Sequence, residues 1–230
     1  MSIAEKLTTV AKNQQKIYDA GKKSEWDTFW DTYQGNGNRK NYNYAFYGSY
    51  WNDKTFRPKY SITSTSASQI FRGSTITDIG KIMKDNGVVF DFSGAKATFS
   101  YTFYECETAT LPAIDASNAT KLDYTFNSMP NLVTIDKLIL GAGTTYTAPF
   151  AGASKLENLI VEGTIGQNGF SVSGASRLTH ESLMSIINAL ADYSEDTSGT
   201  AWKVTLGSTN LEKLTAEEKA IAENKGWSLA

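Results

Sequence analysis

The sequence predicts an α/β protein built as a short solenoid, in which successive turns of the chain stack on one another. The first observation is a phrase that recurs at a nearly fixed interval, with Phe103, Phe126 and Phe150 lying 23 and 24 residues apart. The second is an apolar pair with i, i+3 spacing that follows each phrase, as at Leu132 and Ile135. A period of about 20–50 residues is typical of stacked repeats, which bury their hydrophobic faces against their neighbours.

The composition limits the classes of protein to consider. The chain has 230 residues, a net charge of −2 and one cysteine, with 20% charged and 12% aromatic residues. Without a basic surface we expect no nucleic-acid partner, and without a long apolar run we expect no membrane insertion. The first residues form no apolar signal segment, so we expect synthesis in the cytoplasm. Aromatic and uncharged polar residues suit extracellular or virion-like β architectures and contacts to neutral ligands such as glycans.

The first predicted unit, residues 1–22, is a helix with a coiled-coil pattern. Core-type residues recur with spacings of 4, 3, 4 and 3, at Ile3, Leu7, Val10, Gln14 and Ile17. The pattern predicts a homo-oligomer, a trimer, joined through these residues. An ordinary amphipathic helix packed on its own domain is the alternative, because the pattern is short.

The second unit, residues 23–60, is predicted to be an aromatic cap. A helix opened by Ser24 places four rings on one face, which must be buried: Trp26, Phe29, Trp30 and Tyr33. We interpret this helix as a cover for the open end of the solenoid, because a terminal repeat has a hydrophobic edge without a neighbour.

The same unit holds the candidate ligand-binding residues. Flat rings beside hydrogen-bonding groups make good platforms for carbohydrate, and six side chains offer this combination: Tyr42, Tyr44, Tyr47, Tyr50, Trp51 and Arg57. The alternative is that most of these rings fill the N-terminal end of the solenoid.

The third unit, residues 61–178, is the predicted solenoid proper. Degenerate copies of the phrase are anchored by Phe46 and Phe71, and a short last copy begins at Phe170. The 32 residues between Phe71 and Phe103 predict an insertion, which is the helix 78–84.

Two polar features accompany the repeats. The alternating stretch from Ser61 to Ser68 is interpreted as an extended, solvated edge. Asp91, Asp115 and Asp136 recur along the repeats, which predicts a polar ladder that caps turns rather than a catalytic pair.

The fourth unit, residues 179–230, is a predicted α/β cap. Thr179 should begin a helix over 180–193, and Thr215 with Glu218 forms a capping box for a second helix. Strands over 202–206 and 227–229 are expected to pair with each other.

No residue pattern in the chain indicates catalysis, a metal or a cofactor. His180 is the only histidine and falls in the first turn of a predicted helix, where a solvated surface position is expected. Cys106 occupies a core position of its repeat, as a small buried hydrophobe would. We therefore predict no catalytic residues, no metal site, no cofactor and no enzymatic activity. Paired carboxylates of a glycosidase stay open, because their geometry is tertiary.

Each copy places a phenylalanine, a few residues, a cysteine or small residue, and then a Leu-x-x-Ile pair. Phe103-Tyr104-Glu105-Cys106 carries this pattern in full, and the copies at Phe126 and Phe150 keep it with the cysteine replaced. The pattern resembles the BspA-like class of bacterial leucine-rich repeats. The stretches 178–188 and 206–227 are similar to the tails of such proteins in Gram-positive gut bacteria and their phages, and 4–33 is similar to the lead-in of prophage-encoded members.

The resemblance implies a leucine-rich-repeat-like solenoid and an adhesive, surface or tail component without a shared active site. The sequence thus predicts a non-enzymatic module, a phage tail-associated protein that recognises a receptor. The expected partners are a bacterial cell-surface glycan or protein and other virion or tail proteins. The expected location is the virion, or the extracellular space after lysis. An intracellular or host-directed protein-interaction scaffold is one alternative, and a surface-glycan-degrading enzyme is another.

Overall fold

The computed structural model describes residues 13, 27–39, 41–64, 66–92, 96 and 98–230. The predicted α/β class is confirmed, because helices combine with strands whose pairings are parallel. The strands are β1 (Ile62–Thr63), β2 (Phe90–Asp91), β3 (Thr110–Leu111), β4 (Ile114–Ala116), β5 (Thr134–Leu140), β6 (Asn158–Gly163), β7 (Trp202–Val204) and β8 (Trp227–Leu229). The helices are α1 (27–33), α2 (Ile79–Asp85), α3 (His180–Asn188), α4 (Ser208–Leu211) and α5 (Ala216–Asn224), with a 3-10 turn at Gly35–Gly37.

The main sheet has six strands in the order β1-β2-β4-β5, with β3 and β6 also pairing with β5. Its central register repeats every 24 residues, as in the series Leu111, Ile135 and Leu159. Strands β3 and β4 pair with the two halves of β5, and Pro112 lies between them. Proline has no backbone N–H to donate to a neighbouring strand, so the pairing is interrupted there. The apolar pairs that follow successive phenylalanines do not all lie opposite one another, because Leu111 pairs with Ile135 rather than with Leu132.

A column of phenylalanine rings runs beside the sheet. Neighbouring rings lie between 4.9 and 5.6 Å apart, and those of Phe71, Phe103, Phe126 and Phe150 are nearly parallel. Phe46 stacks on Phe71, and Phe170 contacts Phe150 at 5.7 Å, so the predicted outer copies are confirmed as members of the column. All of these rings are buried, and the column therefore supplies much of a core that extends from Trp30 to Trp227.

The turn around each phenylalanine has an unusual backbone conformation that recurs from one copy to the next. The residues two before and two after Phe103, which are Tyr101 and Glu105, have φ values of 58° and 57°. Left-handed conformations are costly for residues other than glycine, and they persist where surrounding structure fixes them. Here the N–H groups of Tyr101, Phe103 and Glu105 donate to carbonyl oxygens of the next turn at 2.9–3.2 Å. The same two left-handed positions recur around Phe46, Phe71, Phe126 and Phe150.

Helix α1 packs on the N-terminal end of the phenylalanine column. Trp30 is buried against Phe46, Trp51 and Phe56, with ring centroids 5.5–5.9 Å apart. The hydroxyl of Tyr33 donates to the carbonyl oxygen of Ala45, which belongs to the first turn of the stack. Phe29 differs from the expectation, because more than a third of its surface is exposed.

The C-terminal end is covered by α3 and the short pair β7–β8. Ser182 and Ser185 of α3 use their hydroxyls to accept hydrogen bonds from the N–H groups of Leu159 and Val161 in β6, each at 3.0 Å. These contacts satisfy donors at the edge of the main sheet. The predicted capping box is confirmed, since Thr215 and Glu218 exchange both hydrogen bonds at the start of α5.

Three local expectations were wrong. Helix α3 ends at Asn188, five residues before the predicted end, and the chain continues into a bridge between Ile165 and Leu190. The stretch 61–68 is not a solvated edge throughout, because Ile62, Ser64 and Ala67 are buried. The aspartates do not form one ladder: Asp91 pairs with Asp115, but Asp115 pairs with Ile139 rather than Asp136.

Two further points bear on the predicted organisation. Of residues 1–22 only position 13 belongs to the part that the structure describes, so the coiled-coil prediction lies outside the described residues. Within the described ranges, no helix is both long enough and apolar enough to cross a membrane. The four-unit division of the chain stays a prediction.

Candidate functional site

Three of the six predicted binding residues present large aromatic surfaces to solvent. Tyr44, Tyr47 and Tyr50 are 56%, 49% and 64% exposed. Tyr44 occupies the left-handed position two residues before Phe46, and its side chain is exposed whereas that of Phe46 is fully buried. The rings of Tyr44 and Tyr47 are 6.0 Å apart and tilted, so their faces are not closed by stacking on each other.

Two of the predicted residues belong to the core instead. Tyr42 and Trp51 are 1% and 6% exposed, so neither ring offers a face to a ligand. Arg39 lies over the Tyr42 ring at 5.1 Å, and burial raises the pKa of the Tyr42 hydroxyl. Trp51 packs on Trp30. The alternative interpretation of the sequence, in which rings fill the N-terminal end, is correct for these two residues.

Arg57, the sixth predicted residue, is exposed but lies apart from the tyrosines. It lines two adjoining grooves of about 470 Å³ each, which also share Asn86. One groove contains Asp53 and Lys81, but Asp53 already accepts hydrogen bonds from the backbone and hydroxyl of Thr77 at 2.8 and 2.6 Å. Among the described residues, no hydrogen bond or ring contact joins Arg57 to the three exposed tyrosines. The structure therefore divides the predicted site into two surfaces.

The exposed tyrosines continue along the repeats in a way that the sequence prediction missed. The positions two before and one after each phenylalanine lie on the same edge of successive turns. We call the polar and aromatic side chains at these positions the tyrosine ribbon, and it consists of Tyr44, Tyr47, Gln69, Arg72, Tyr101, Tyr104, Tyr124 and Asn127. A signal for these positions is present in the sequence, because a tyrosine precedes the phenylalanine by two residues in Tyr101-Thr102-Phe103 and again in Tyr124-Thr125-Phe126.

Direct contacts link the members of the tyrosine ribbon. The side chain of Gln69 donates to the hydroxyl of Tyr44 at 2.8 Å and accepts from the guanidinium of Arg72 at 2.8 Å. That guanidinium lies 5.5 Å from the ring centroid of Tyr101 and 5.2 Å from that of Tyr104. The Tyr101 ring in turn stacks on Tyr124 at 5.0 Å.

The residues considered for catalysis have structural roles. Cys106 is buried beside the hydroxyl of Ser74 at 3.0 Å, and burial raises its pKa to about 11, so the thiol is not activated. His180 contacts Glu218 at 2.8 Å on the surface. Within the part of the chain that the structure describes, no cluster of histidine, cysteine and acidic residues could hold a metal ion.

Comparisons with protein-family models, with curated proteins and with solved structures found no match. The arguments for function therefore rest on the exposed tyrosines, the tyrosine ribbon and the groove beside Arg57.

Proposed function

We propose that the chain is a leucine-rich-repeat-like solenoid of the BspA-like type. The 24-residue register of the parallel strands supports this proposal, as does the phenylalanine column with its repeated left-handed turns. The helices at the two ends then act as caps, which solenoids need because their terminal repeats lack a neighbour.

On this scaffold we propose a non-enzymatic function, the recognition of a bacterial cell-surface receptor by a phage tail-associated protein. The observation that carries the proposal is the exposure of Tyr44, Tyr47 and Tyr50 on one short segment. Aromatic residues are enriched at recognition surfaces because they offer a large contact area with little loss of conformational freedom. Their ring faces and hydroxyls suit the apolar and polar sides of sugar rings.

The proposal includes an assembly. Residues 1–22 join copies of the chain into a trimer and attach it to other virion proteins, which would present several tyrosine surfaces at once. Multiple weak contacts to a cell surface then combine into tight attachment. Measurement of the solution mass with and without residues 1–22 tests this part, and a monomer in both cases would reject it.

Binding of the labelled full chain to intact Gram-positive cells tests the receptor function. The triple variant Tyr44→Ala, Tyr47→Ala and Tyr50→Ala is expected to lose at least tenfold in apparent affinity while keeping its melting temperature. Val89→Ala is the matched control, because Val89 is an equally exposed apolar side chain in front of β2. Equal binding of the triple variant and the control to receptor-bearing cells would reject the proposal.

An intracellular or host-directed scaffold remains the second candidate, because exposed tyrosines also serve protein interfaces. The two candidates differ in where the partner resides. Specific capture of one soluble host protein, lost in the triple tyrosine variant, together with no binding to intact cells, would favour the scaffold.

A further inference from the structure

We propose that the tyrosine ribbon binds a linear, carboxylate-bearing oligosaccharide, with Arg72 as the residue that contacts the carboxylate. The inference rests on the proposed function, since it names the ligand class of the same recognition surface. It also extends that surface from the exposed tyrosines at the first turn to turns that the sequence prediction left out.

The first argument is the unused hydrogen-bonding capacity of Arg72. A guanidinium has five N–H donors, in a planar arrangement that matches a carboxylate. Among the described residues it makes one hydrogen bond, to Gln69, and no carboxylate of these residues lies within ion-pairing distance. The side chain is half-buried, so its positive charge is both accessible and without a compensating partner in this part of the chain.

The second argument is that the guanidinium is already held in place. The rings of Tyr101 and Tyr104 support it by cation–π contact, and Gln69 fixes one edge. A preorganised arginine loses less side-chain entropy on binding than a free one. The remaining members of the tyrosine ribbon are uncharged, so Arg72 is the one position on it where an anionic group is favoured.

The third argument concerns the shape of the ligand. The tyrosine ribbon is two residues wide and follows the stacking direction, along which ring centroids are 5.0–5.6 Å apart. Eight side chains fall well short of the roughly 20–30 residues that each partner contributes to an ordinary protein interface. A narrow track of this kind fits a linear polymer.

The fourth argument favours a sugar over an extended peptide. An added peptide strand needs free backbone donors and acceptors at an edge. Along the tyrosine ribbon the N–H groups of Tyr44, Gln69, Tyr101 and Tyr124 already donate to the neighbouring turn. The available groups are phenolic hydroxyls and the open ring faces of Tyr44 and Tyr47, which match sugar hydroxyls and the apolar face of a pyranose ring.

The order of the contacts along the tyrosine ribbon indicates the path that the ligand would follow. Tyr44 belongs to the turn next to that of Arg72, and Gln69 connects the two by its amide. A sugar ring stacked on Tyr44 or Tyr47 would place an adjoining acidic sugar over Arg72, with Tyr124 beyond it.

The test measures binding of the full chain to immobilised oligogalacturonate, a linear chain of carboxylate-bearing sugars, and to its methyl ester, which has no charge. We expect the acid to bind at least tenfold more tightly than the ester. Arg72→Gln should remove this preference, and Arg72→Lys should restore part of it. Arg177→Gln is the matched control, because Arg177 is an exposed arginine at the other end of the stack, 3.7 Å from Glu157.

Several results would overturn the inference. These are no binding of the acid at millimolar concentration, equal binding of acid and ester, or wild-type preference in Arg72→Gln. Unchanged melting of Arg72→Gln excludes misfolding, and Tyr124→Phe, which keeps the ring stack, should itself weaken acid binding severalfold. If the triple tyrosine variant loses binding to cells but Arg72→Gln binds them as the wild type does, the carboxylate site is wrong while the proposed function stands.

Discussion

Gln34 and Tyr60 are joined by two hydrogen bonds that run in opposite directions. The side-chain oxygen of Gln34 accepts from the Tyr60 N–H at 2.9 Å, and its side-chain nitrogen donates to the Tyr60 carbonyl at 2.8 Å. The same oxygen accepts from the N–H of Lys59 at 2.8 Å. Gln34 is fully buried. Its single side-chain amide therefore holds the end of the aromatic segment, at Lys59 and Tyr60, against the C-terminal end of α1.

Gln34→Ala should therefore lower the free energy of unfolding by about 2–4 kcal/mol, because it leaves three partly buried backbone groups of Lys59 and Tyr60 without partners. Urea unfolding followed by tryptophan fluorescence measures the change. Gln167→Ala, at a half-buried glutamine in a surface loop, is the control and should stay within about 0.5 kcal/mol of the wild type. A loss below about 1 kcal/mol in Gln34→Ala would show that solvent or local rearrangement replaces these bonds.

The centre of the phenylalanine column should be its most sensitive part. The Phe126 ring lies between those of Phe103 and Phe150, at centroid distances of 5.6 and 5.1 Å. Phe126→Ala therefore opens a cavity that is enclosed by a ring on each side. We expect a loss of about 3–5 kcal/mol in unfolding free energy, measured by urea titration. Phe29→Ala, which truncates the partly exposed ring of α1, should cost much less. Similar losses in the two variants would contradict the central role of the column.

Two glycines of one loop provide a test of close backbone packing. A Cβ atom at Gly141 would lie 2.0 Å from the carbonyl oxygen of Ser117, whereas one at Gly143 would meet nothing within 4 Å. Gly141→Ala should destabilise the protein by about 1–3 kcal/mol, because the backbone of the neighbouring turn must move. Gly143→Ala is the matched control and should be neutral or slightly stabilising. Thermal melting followed by circular dichroism compares them, and equal melting temperatures would refute the contact.

The capping box of α5 predicts a dependence of stability on pH. The hydrogen bond from the N–H of Thr215 lowers the pKa of the Glu218 carboxyl in the folded protein, and the hydrogen bond with His180 lowers it further. A carboxyl whose folded pKa lies below its unfolded value stabilises the fold above the unfolded value, about 4.3, and the contribution disappears as the pH falls through the folded value.

Glu218→Gln should thus melt below the wild type at pH 7, and the two melting temperatures should converge as the pH falls through the lowered folded pKa of Glu218. Melting curves between pH 3 and pH 7 measure the difference. Glu212 is an exposed glutamate at the end of α4, and Glu212→Gln is the control. Its melting temperature should depend on pH in the same way as that of the wild type. A constant difference between Glu218→Gln and the wild type over the whole range would show that charge is not involved.

Much of the architecture could be predicted because the phenylalanines carry the period directly. Phe46, Phe71 and Phe170 were placed correctly despite degenerate surroundings, since a phenylalanine ring fills the same core position in each copy. The spacing of the phenylalanines does not give the strand register, because strands pair at 24 residues while the interval from phenylalanine to apolar pair varies between copies. The strand interval and the interval from phenylalanine to apolar pair can be told apart only when the backbone conformation is known.

The candidate site was predicted less well than the fold. Tyr42 and Tyr44 are two residues apart in an aromatic segment, yet one is buried and the other is exposed. The left-handed backbone at Tyr44 separates them, and no local composition rule predicts that conformation for tyrosine. Arg72 was missed for a related reason: its partners Tyr101 and Tyr104 are about 30 residues away and meet it only through the stacking of turns.

The left-handed turns also give one edge of the stack an electrical polarity. The N–H groups of Phe46, Phe71, Phe103 and Phe126 all donate towards the following turn, so the peptide dipoles along this edge point the same way. In an α-helix the N–H groups point towards the start of the chain, and the positive pole lies there. Along this edge the order is reversed. The carbonyl pole falls at the N-terminal turn, where the hydroxyl of Tyr33 meets the oxygen of Ala45, and the amide pole falls near Phe150.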